Sequence, residues 1–293
     1  RSIIEDSIAS SQLEGANTSR AVAKKMLLEG RKPANYSEQM IVNNHQAMLK
    51  IEQDFYKRDL SLDLLYELHS IITHKTLSED KQGRLRETFN EKGERLKVVP
   101  WPDVVAYVTP DKEFVEAELP RLLDFANGEN LGNSHFIHPL IKGIMLHFWI
   151  GLLHPFEDGN GRLARILFYW YMLKQEYWIF KYLSISEKIK KSSKQYSMAY
   201  IYSEQEAYDL TYFIHYNIEK LKLAKKDFQE YVKNKVDENR VVDYAKQEKY
   251  QLNDRQIKLL HYFNQAKEER VNLSAYQQLY AVKKLTAIMD LKD

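Results

Sequence analysis

The stretch HPFEDGNGRLAR, residues His154 to Arg165, concentrates groups that could carry out a reaction. Two glycines flank Asn160 there, although the chain has only 10 glycines in 293 residues. Glycines allow backbone angles closed to other residues and let a ligand approach the main chain. Because a helical pattern follows, Gly159, Asn160 and Gly161 would begin a helix, whose free N–H groups and dipole make an anion site. Phosphate is the usual occupant of such a site, so we predict phosphate binding here.

Charged side chains surround this predicted anion site. Arg162 and Arg165 lie three residues apart, on one helix face, and guanidinium groups suit phosphate oxygens. Asp158 would repel phosphate unless a hard divalent cation bridges the two, and Mg²⁺ does this in many phosphate sites. His154 is the residue type whose pKa suits proton uptake near neutral pH. A base, a metal ligand, an anion site and two phosphate clamps together indicate a nucleotide-handling transferase.

Other interpretations of the motif fit its context less well. GNGRLA matches the G-x-G-x-x-A dinucleotide fingerprint, but that fingerprint follows a β-strand, whereas this string follows a helix end and a polar loop. No G-x-x-x-x-G-K-[ST] string occurs, which excludes a P-loop. His138, His147 and His154 are nine and seven residues apart, which is no familiar spacing of metal ligands. A simple helix–loop–helix corner would need one glycine and not this many polar groups.

Helices must position these groups, and the composition favours a mainly α fold. The chain has 10 glycines and 7 prolines and is rich in good helix formers. Apolar residues at helical spacing predict helices over 2–15, 37–53, 61–76, 111–127, 138–153 and 162–176, two more within 184–222, and a charged helix to about residue 250. Residues 85–109, with a turn at Gly93 and three prolines by Pro110, are predicted to form a β-hairpin plus a loop.

Charge and composition exclude several classes of protein. Lys and Arg number 43 and Asp and Glu 41, and the net charge of +2 argues against a strongly electrostatic nucleic-acid binder. The lack of cysteine excludes disulfides, thiolate zinc sites and cysteine nucleophiles. The most apolar stretch, GIMLHFWIGLLHPF, is interrupted by His147 and is too short to cross a bilayer. With no visible signal peptide, we expect a cytoplasmic protein without a membrane segment.

The motif resembles the signature of the Fic family, H-x-F-x-[D/E]-G-N-G-R-x-x-R. The matching residues are His154, Phe156, Asp158, Gly159, Asn160, Gly161, Arg162 and Arg165. The resemblance extends to GRLR at 83–86, to HPLIKGIMLHFW before the motif and to DLTYFI at 209–214, and it covers roughly residues 1–225. It implies a Fic-type helical bundle with a short β-hairpin flap, followed by a small C-terminal domain of the helix-turn-helix or winged-helix type.

The resemblance implies a protein adenylyltransferase, which moves AMP from ATP to a Tyr, Ser or Thr hydroxyl of a protein. His154 would deprotonate that hydroxyl, and Asp158 would hold Mg²⁺ on the phosphates. The amides of Gly159 to Gly161 would stabilise the charge that develops during transfer, while Arg162 and Arg165 would bind phosphate oxygens.

Two further elements follow from the same resemblance. The segment near 87–100 would be a flap that holds the target by main-chain pairing. Tyr196 lies where relatives often have an aromatic residue that contacts adenine. Some relatives transfer other phosphate-containing groups or remove AMP, so these activities stay open as alternatives. The target protein, self-modification and homo-oligomer formation are also left open by the sequence.

The string SSQLEG, Ser10 to Gly15, is the second informative feature. Taken alone it is typical of a helix C-terminus, with Gly15 in the left-handed conformation and Glu14 in solvent. The resemblance implies instead the inhibitory helix of the family, [S/T]-x-x-x-E-[G/N], matched by Ser10, Glu14 and Gly15. Glu14 would then pair with Arg165 and take the place of the ATP γ-phosphate. An arginine neutralised by a carboxylate cannot also clamp phosphate well, so bound ATP would be misaligned for attack.

These patterns divide the chain into four parts. The predicted parts are an N-terminal segment with the inhibitory helix (1–30), the Fic catalytic core (31–225), a helical linker (226–250) and a tail (251–293). The tail reads as three short helices, and their spacing suits a helix-turn-helix or a partial winged helix.

The tail raises a second hypothesis about function. Lys283, Lys284 and Lys292 could contact DNA, but Asp290 and Asp293 offset their charge. The alternative function is therefore a nucleotide-sensing, DNA-binding regulator, and partner docking is an equal possibility for the tail. The complete motif favours an enzyme, because a nucleotide sensor would not need a base.

Overall fold

The computed structural model describes residues 2–90, 92–98, 107–128, 136–245, 252–266 and 271–292. The chain divides into two compact units, Arg1–Ala224 and Lys225–Asp293. The helices in the described ranges are α1 (Ser2–Leu13), α2 (Arg20–Glu29), α3 (Tyr36–Gln53), α4 (Leu62–Thr73), α5 (Lys112–Asn127), α6 (Pro139–Leu153), α7 (Asn160–Lys174), α8 (Ile185–Lys190), α9 (Ser193–Gln205), α10 (Thr211–Ala245), α11 (Asp254–Ala266), α12 (Leu273–Tyr280) and α13 (Lys284–Lys292). The mainly α fold class is confirmed.

Each helix that apolar spacing predicts is present, with ends that differ by a few residues. Polar caps begin several of them: Ser61 accepts a hydrogen bond from the Leu64 N–H at the start of α4. Two differences stand out. The charged helix α10 begins earlier than predicted, at Thr211, and α2 is a helix that the apolar pattern does not reveal. Its ends are nevertheless marked, by Ser19 as the N-terminal cap and by Gly30, with φ of 65°, after its last turn.

The predicted hairpin region contains a small antiparallel sheet of β1 (Lys97–Val98) and β2 (Tyr107–Val108). Lys97 lies opposite Val108, and Val98 lies opposite Tyr107. An isolated bridge between Phe89 and Arg95 spans the turn at Gly93, whose φ is 75°. Residues 91 and 99–106, which belong to the predicted hairpin and flap, lie outside the described residues.

The core of the first unit is built around α6 and α7. Each residue of α7 from Arg162 to Leu173 is buried, as expected of a helix that packs on all sides. Trp170, fully buried, donates its indole N–H to the carbonyl of Phe55 over 3.0 Å. The first turn of α7, which carries the motif, is therefore held by a rigid support.

Helix α1 packs against α3 and α8. Ile8 joins Met26 and Ile41 in a small apolar cluster between α1, α2 and α3. On the other side, the Asp6 carboxylate accepts a hydrogen bond of 2.7 Å from the Ser186 N–H in the first turn of α8. These contacts place the C-terminal end of α1 next to α7.

The second unit contains α11, α12 and α13, so the prediction of three short helices in the tail is confirmed. Leu259, Tyr276 and Ala287 form its small apolar core. The Asp290 carboxylate accepts hydrogen bonds from Arg255 and Tyr276 and lies buried. Asp290 is therefore a structural residue here, and the helix-turn-helix interpretation stays a prediction.

The predicted linker and the predicted tail both include residues outside the described ranges. Residues 246–251, at the junction of the predicted linker and tail, lie outside them, as does Asp293. Among the described residues, no helix is both long enough and apolar enough to cross a membrane.

Candidate active site

Two residues in the left-handed conformation bracket the motif loop. His154 follows the last residue of α6 with φ of 47°, and its N–H donates to the Ile150 carbonyl over 3.0 Å. Gly159 caps α7 with φ of 85°, which a glycine adopts without strain. A side chain at Gly159 would also crowd Thr73, since an added Cβ would lie 3.1 Å from its methyl group. The loop therefore reverses the chain sharply and brings His154 beside the N-terminus of α7.

The hydrogen bonds of His154 fix which of its ring nitrogens can act as a base. Nδ1 lies 3.2 Å from the Gly151 carbonyl oxygen, which can only accept, so Nδ1 carries the proton. Nε2 is then the nitrogen with the free lone pair. Burial lowers the pKa of His154, and nearby Glu14 and Asp158 only partly counteract it. The imidazole is therefore neutral at pH 7, as a general base requires.

Asp158 and Arg162 form an ion pair, with Arg162 Nη2 2.9 Å from Asp158 Oδ2. The Arg162 side chain is fully buried, and its Nη1 donates to the Ile72 carbonyl over 2.7 Å. The sequence predicts Arg162 as a phosphate clamp beside Arg165, and this role stays a prediction, since the structure places its guanidinium against Asp158 and the end of α4. Its place in the first turn lets it reach back to the loop and to the end of α4, so it supports Asp158.

Asp158 offers a chemically suitable oxygen for Mg²⁺. Its side chain is 42% exposed, and within the described residues its second oxygen, Oδ1, has no hydrogen-bond donor. No cluster of three His, Asp or Glu side chains that could hold a metal ion occurs in the described ranges. Mg²⁺ keeps several waters and is usually held by one or two carboxylates together with substrate phosphates, so a single carboxylate fits.

Asn160 holds the loop with its side chain rather than facing a ligand. Its Oδ1 accepts from the Phe156 N–H over 3.0 Å, and its Nδ2 donates to the Phe156 carbonyl over 2.7 Å. Phe156 is fully buried beneath the loop. What Asn160 can offer a phosphate is therefore its main-chain N–H, in the first turn of α7.

His69 and Arg86 support the loop, and sequence reasoning assigned neither a role. Gly83 N–H donates to His69 Nδ1 over 2.9 Å, so His69 Nε2 carries the proton and donates to the Asp158 carbonyl at 2.9 Å. The ring stacks on Phe156 at 3.8 Å, and burial lowers the pKa of His69 to about 4. Arg86, also buried, donates to the carbonyls of His154 (2.6 Å) and Pro110 (2.8 Å). The only signal for Arg86 and Gly83 is the string GRLR.

The end of α1 meets α7 at Arg165. Arg165 Nη2 donates to Glu14 Oε1 over 2.8 Å, and its Nε donates to Ser10 Oγ over 2.8 Å. The same Nη2 donates to the Ser10 carbonyl at 2.9 Å. Gly15 has φ of 92°, which suits glycine and ends α1. The structure thus brings together Ser10, Glu14 and Arg165, residues 151 and more apart in sequence.

The Glu14 carboxylate lies at the predicted anion site. A Cβ added to Gly161 would fall 2.3 Å from Glu14 Oε1, so the carboxylate fills the space that this glycine leaves open. Burial favours a higher pKa for Glu14, but Arg165, with a smaller contribution from Arg162, lowers it below the usual value. Glu14 is therefore an anion at pH 7, in the place where a phosphate would meet α7.

A cavity of about 270 Å³ adjoins these groups. The motif and α1 contribute His154, Gly161, Arg165 and Glu14 to its wall. Helix α9 contributes Tyr196, Tyr200 and Glu204, and the two strands contribute Val98 and Tyr107. Arg165 Nη1 is buried and has no hydrogen-bond partner among the described residues, so a donor remains for a ligand.

Tyr196, predicted as an adenine contact, lines this cavity but is engaged elsewhere in the fold. Its hydroxyl lies 2.7 Å from Nε2 of His147, and its ring packs edge-on against Tyr200 at 5.3 Å. His147 is buried, and burial lowers its pKa to about 3, so it accepts this hydrogen bond in its neutral form. The Tyr196 hydroxyl also lies close to Arg165. The contact of Tyr196 with adenine stays a prediction, since Tyr196 lines the cavity.

The Fic/DOC family model matches residues 59–172, the stretch from before α4 into α7. Among curated proteins, the chain is 29% identical to "Protein adenylyltransferase fic-1" of Caenorhabditis elegans over 109 residues, which is 37% of this chain and 18% of that protein. It is 24% identical to "Protein adenylyltransferase Fic" of Nematostella vectensis over 151 residues, 51% of this chain and 30% of that protein. The match thus spans less than a third of the length of these curated relatives.

Solved structures share the fold. A Fic family protein from Desulfovibrio desulfuricans G20 superposes with a TM-score of 0.64 at 19% identity, covering 99% of this chain and 77% of that one. A Fic domain-containing signalling protein from Bacteroides thetaiotaomicron gives a TM-score of 0.60 at 22% identity, covering 78% of this chain and 88% of the other.

Proposed function

We propose that this chain, which belongs to the Fic family, transfers AMP from ATP to a hydroxyl side chain of a protein and is inhibited by Glu14. The curated relatives are named protein adenylyltransferases, which supports a nucleotidyl transfer. The observation that carries the proposal is the common cavity of His154, Gly161, Arg165 and Glu14. One wall offers a neutral base, and the facing helix N-terminus offers an anion site that a carboxylate of the same chain fills.

The geometry supports an in-line transfer with one base. Nε2 of His154 takes the proton from a Tyr, Ser or Thr hydroxyl, and the oxygen forms a bond to the α-phosphorus. The bond from that phosphorus to the bridging oxygen breaks, and pyrophosphate leaves with the electron pair. Main-chain N–H groups at Asn160 and Gly161 face the developing charge. Mg²⁺, when bound at Asp158, supplies charge neutralisation on the phosphates.

Glu14 would inhibit this reaction by competing for phosphate. The carboxylate uses Arg165 Nη2 and lies against Gly161, so a γ-phosphate cannot take the same place. A nucleotide that enters the cavity must therefore bind with its phosphates displaced, and a displaced α-phosphate is not in line with the attacking oxygen.

The test is label transfer from α-labelled ATP with Mg²⁺, using the chain alone and with added candidate proteins. Glu14→Gly should raise labelling of target or of the chain itself at least about tenfold, because Arg165 and the α7 N-terminus become free for phosphate. His154→Ala in the same background should lower labelling by about 10²-fold or more, since it removes the base.

The chain offers a matched control for the first variant. Glu29 precedes Gly30 at the end of α2, but its side chain is exposed and contacts no motif residue. Glu29→Gly should leave labelling unchanged. Equal labelling by wild type and Glu14→Gly would refute the inhibitory role, and transfer of label by His154→Ala at the parent rate would refute the base. Mass spectrometry of the labelled protein identifies the transferred group and thereby separates AMP from other phosphate-containing groups.

A further inference from the structure

Glu204 lines the same cavity as His154 and Arg165, yet the reaction described above does not use it. Its side chain is half-buried near the end of α9. Among the described residues, Glu204 has no hydrogen-bond donor and no ion-pair partner. Burial raises the pKa of its carboxyl group to about 7. A desolvated carboxyl group without a hydrogen-bond partner costs free energy, and a ligand that donates a hydrogen bond to it removes that cost.

The position of Glu204 along α9 shows how far it lies from the phosphate end of the cavity. Tyr196, Tyr200 and Glu204 recur every four residues and all line the cavity, so they share one face of the helix. Tyr196 lies beside Arg165. Glu204 is eight residues further along, a displacement of about 12 Å at the rise of an α-helix. It is thus set away from the phosphate site, toward the part of a bound nucleotide that lies beyond its sugar.

Aromatic groups surround Glu204. Tyr107 of β2 and Tyr200 line the cavity with it, and both present ring faces or edges on which a planar base can stack. Burial raises the pKa of Tyr107, with the nearby charges of Tyr208 and Glu204 adding to the effect, so these three groups lie close together. Tyr107 is therefore a neutral hydroxyl at pH 7, which cannot neutralise the carboxyl group.

We propose that Glu204 is a specificity-determining residue that reads the nucleobase, by accepting a hydrogen bond from the exocyclic 6-amino group of adenine. The inference rests on the proposed function in one respect, namely that the cavity holds a nucleotide with its phosphates at the N-terminus of α7. Hydroxyls of tyrosine and serine can donate or accept, so they tolerate several bases. Above pH 7 the Glu204 side chain is a carboxylate, which only accepts, and a base without a donor there leaves it desolvated and unpaired.

The experiment is a double-mutant cycle on nucleotide binding in the Glu14→Gly background, with Mg²⁺ present. The ligand pair is ATP and purine riboside triphosphate, which differs from ATP only in lacking the 6-amino group. The protein pair is the parent and Glu204→Leu. We expect the parent to bind ATP about tenfold more tightly than the analogue, in line with one hydrogen bond to a carboxylate. Glu204→Leu should bind the two nucleotides with similar affinity.

Two further variants keep the test decisive. Glu204→Gln retains an acceptor oxygen and should keep most of the preference for ATP. Glu206→Leu changes the next carboxylate, which does not line the cavity, and should bind both nucleotides as the parent does. A preference for ATP that survives unchanged in Glu204→Leu would overturn the proposal. So would an equal weakening of both nucleotides, or an effect of Glu204→Leu confined to the KM for a protein target.

The binding cycle is independent of catalysis. If the parent binds ATP but labels no protein, the transfer activity fails while the cycle still decides the role of Glu204. If transfer occurs but Glu204→Leu prefers ATP over the analogue as strongly as the parent does, only the proposed role of Glu204 is refuted. Absence of any nucleotide binding by the parent would overturn both proposals.

Discussion

The dipeptide Glu-Gly occurs at the ends of two neighbouring helices, as Glu14-Gly15 after α1 and as Glu29-Gly30 at the end of α2. Both glycines are in the left-handed conformation, with φ of 92° and 65°. The partners of the two glutamates nevertheless differ. Glu29 is exposed and lies 3.8 Å from Lys25, whereas Glu14 pairs with the buried Arg165. Local sequence thus determines how each helix ends, whereas the fold determines that Glu14 meets Arg165.

The largest expected difference between the two glutamates is in stability. Glu14→Gln removes the charge that compensates Arg165, whose side chain is only 5% exposed. We expect unfolding free energy to fall by about 2 kcal/mol, below the usual cost of breaking a buried pair because Glu14 is partly exposed. Glu29→Gln should change it by less than about 0.5 kcal/mol.

Thermal denaturation with and without Mg²⁺ and ATP measures this difference. ATP should restore more stability to Glu14→Gln than to wild type, because its phosphates then replace the missing anion. If both substitutions had the same small effect, the ion pair of Glu14 would not distinguish the two helix ends.

A smaller effect is expected from the second partner of Arg165. Ser10→Ala removes the acceptor for Arg165 Nε while leaving Glu14 in place, so transfer should rise about fivefold. Ser11→Ala is the matched control, because its hydroxyl donates to the Met40 carbonyl and only helps α1 to dock. Initial rates of label transfer decide between two explanations. Equal activation by both variants would mean that docking of α1, and not the contacts of Arg165, sets the inhibition.

The pH dependence of transfer should reveal the proximity of Glu14 to His154. Burial places the pKa of His154 below its ordinary value, so its active neutral form persists as pH falls below about 6.5. Glu14 raises that pKa in wild type. The acid limb of the rate profile should therefore lie at lower pH in Glu14→Gly than in Ser10→Ala, and at the same pH in Ser10→Ala and Ser10→Ala/Glu29→Gly. A limb at higher pH in Glu14→Gly would contradict the placement of the two groups.

The smallest expected effect is of acid on the inhibited wild type. Arg165 lowers the pKa of Glu14, so the carboxylate stays ionised above its ordinary pKa of about 4.5 and its contribution to stability is lost only as pH falls below that. Basal transfer should not rise between pH 8 and pH 5.5. A rise in that interval would show that protonation releases Glu14, which the ion pair argues against.

The sequence marks the residues of the motif more clearly than the residues that support them. His154, Asp158 and the glycines are recognisable because their functions depend on residue type at fixed spacing. The spacing of Arg162 and Arg165 places both on one helix face, but it does not show how deeply each side chain is buried. Arg162 is buried against the end of α4, and there it pairs with Asp158. His69 and Arg86 act on carbonyls 89 and 68 residues away, so no local pattern marks them.

The helices were predictable for a similar reason. Apolar spacing reveals α3, α4 and α6 because each buries one face or more in the core. Six of the ten residues of helix α2 are apolar, but only Ala23 and Met26 are buried, so its capping residues are the stronger signal. The proposed inhibitory role of Glu14 could come only from resemblance, because the same two residues recur at 29–30, where Glu29 is exposed and lies near Lys25.

The close approach of Glu14 to Gly161 has a consequence for how such a protein can change over generations. Under the proposed function, Glu14 and the phosphates use the same space, so a substitution at Gly161 that excludes one should also exclude the other. A change at Gly161 would then not yield an active enzyme free of inhibition. Substitutions in α1, at Ser10 or Glu14, would instead alter the inhibition while the proposed catalytic residues stay intact. On this proposal, the strength of inhibition is a separately heritable trait.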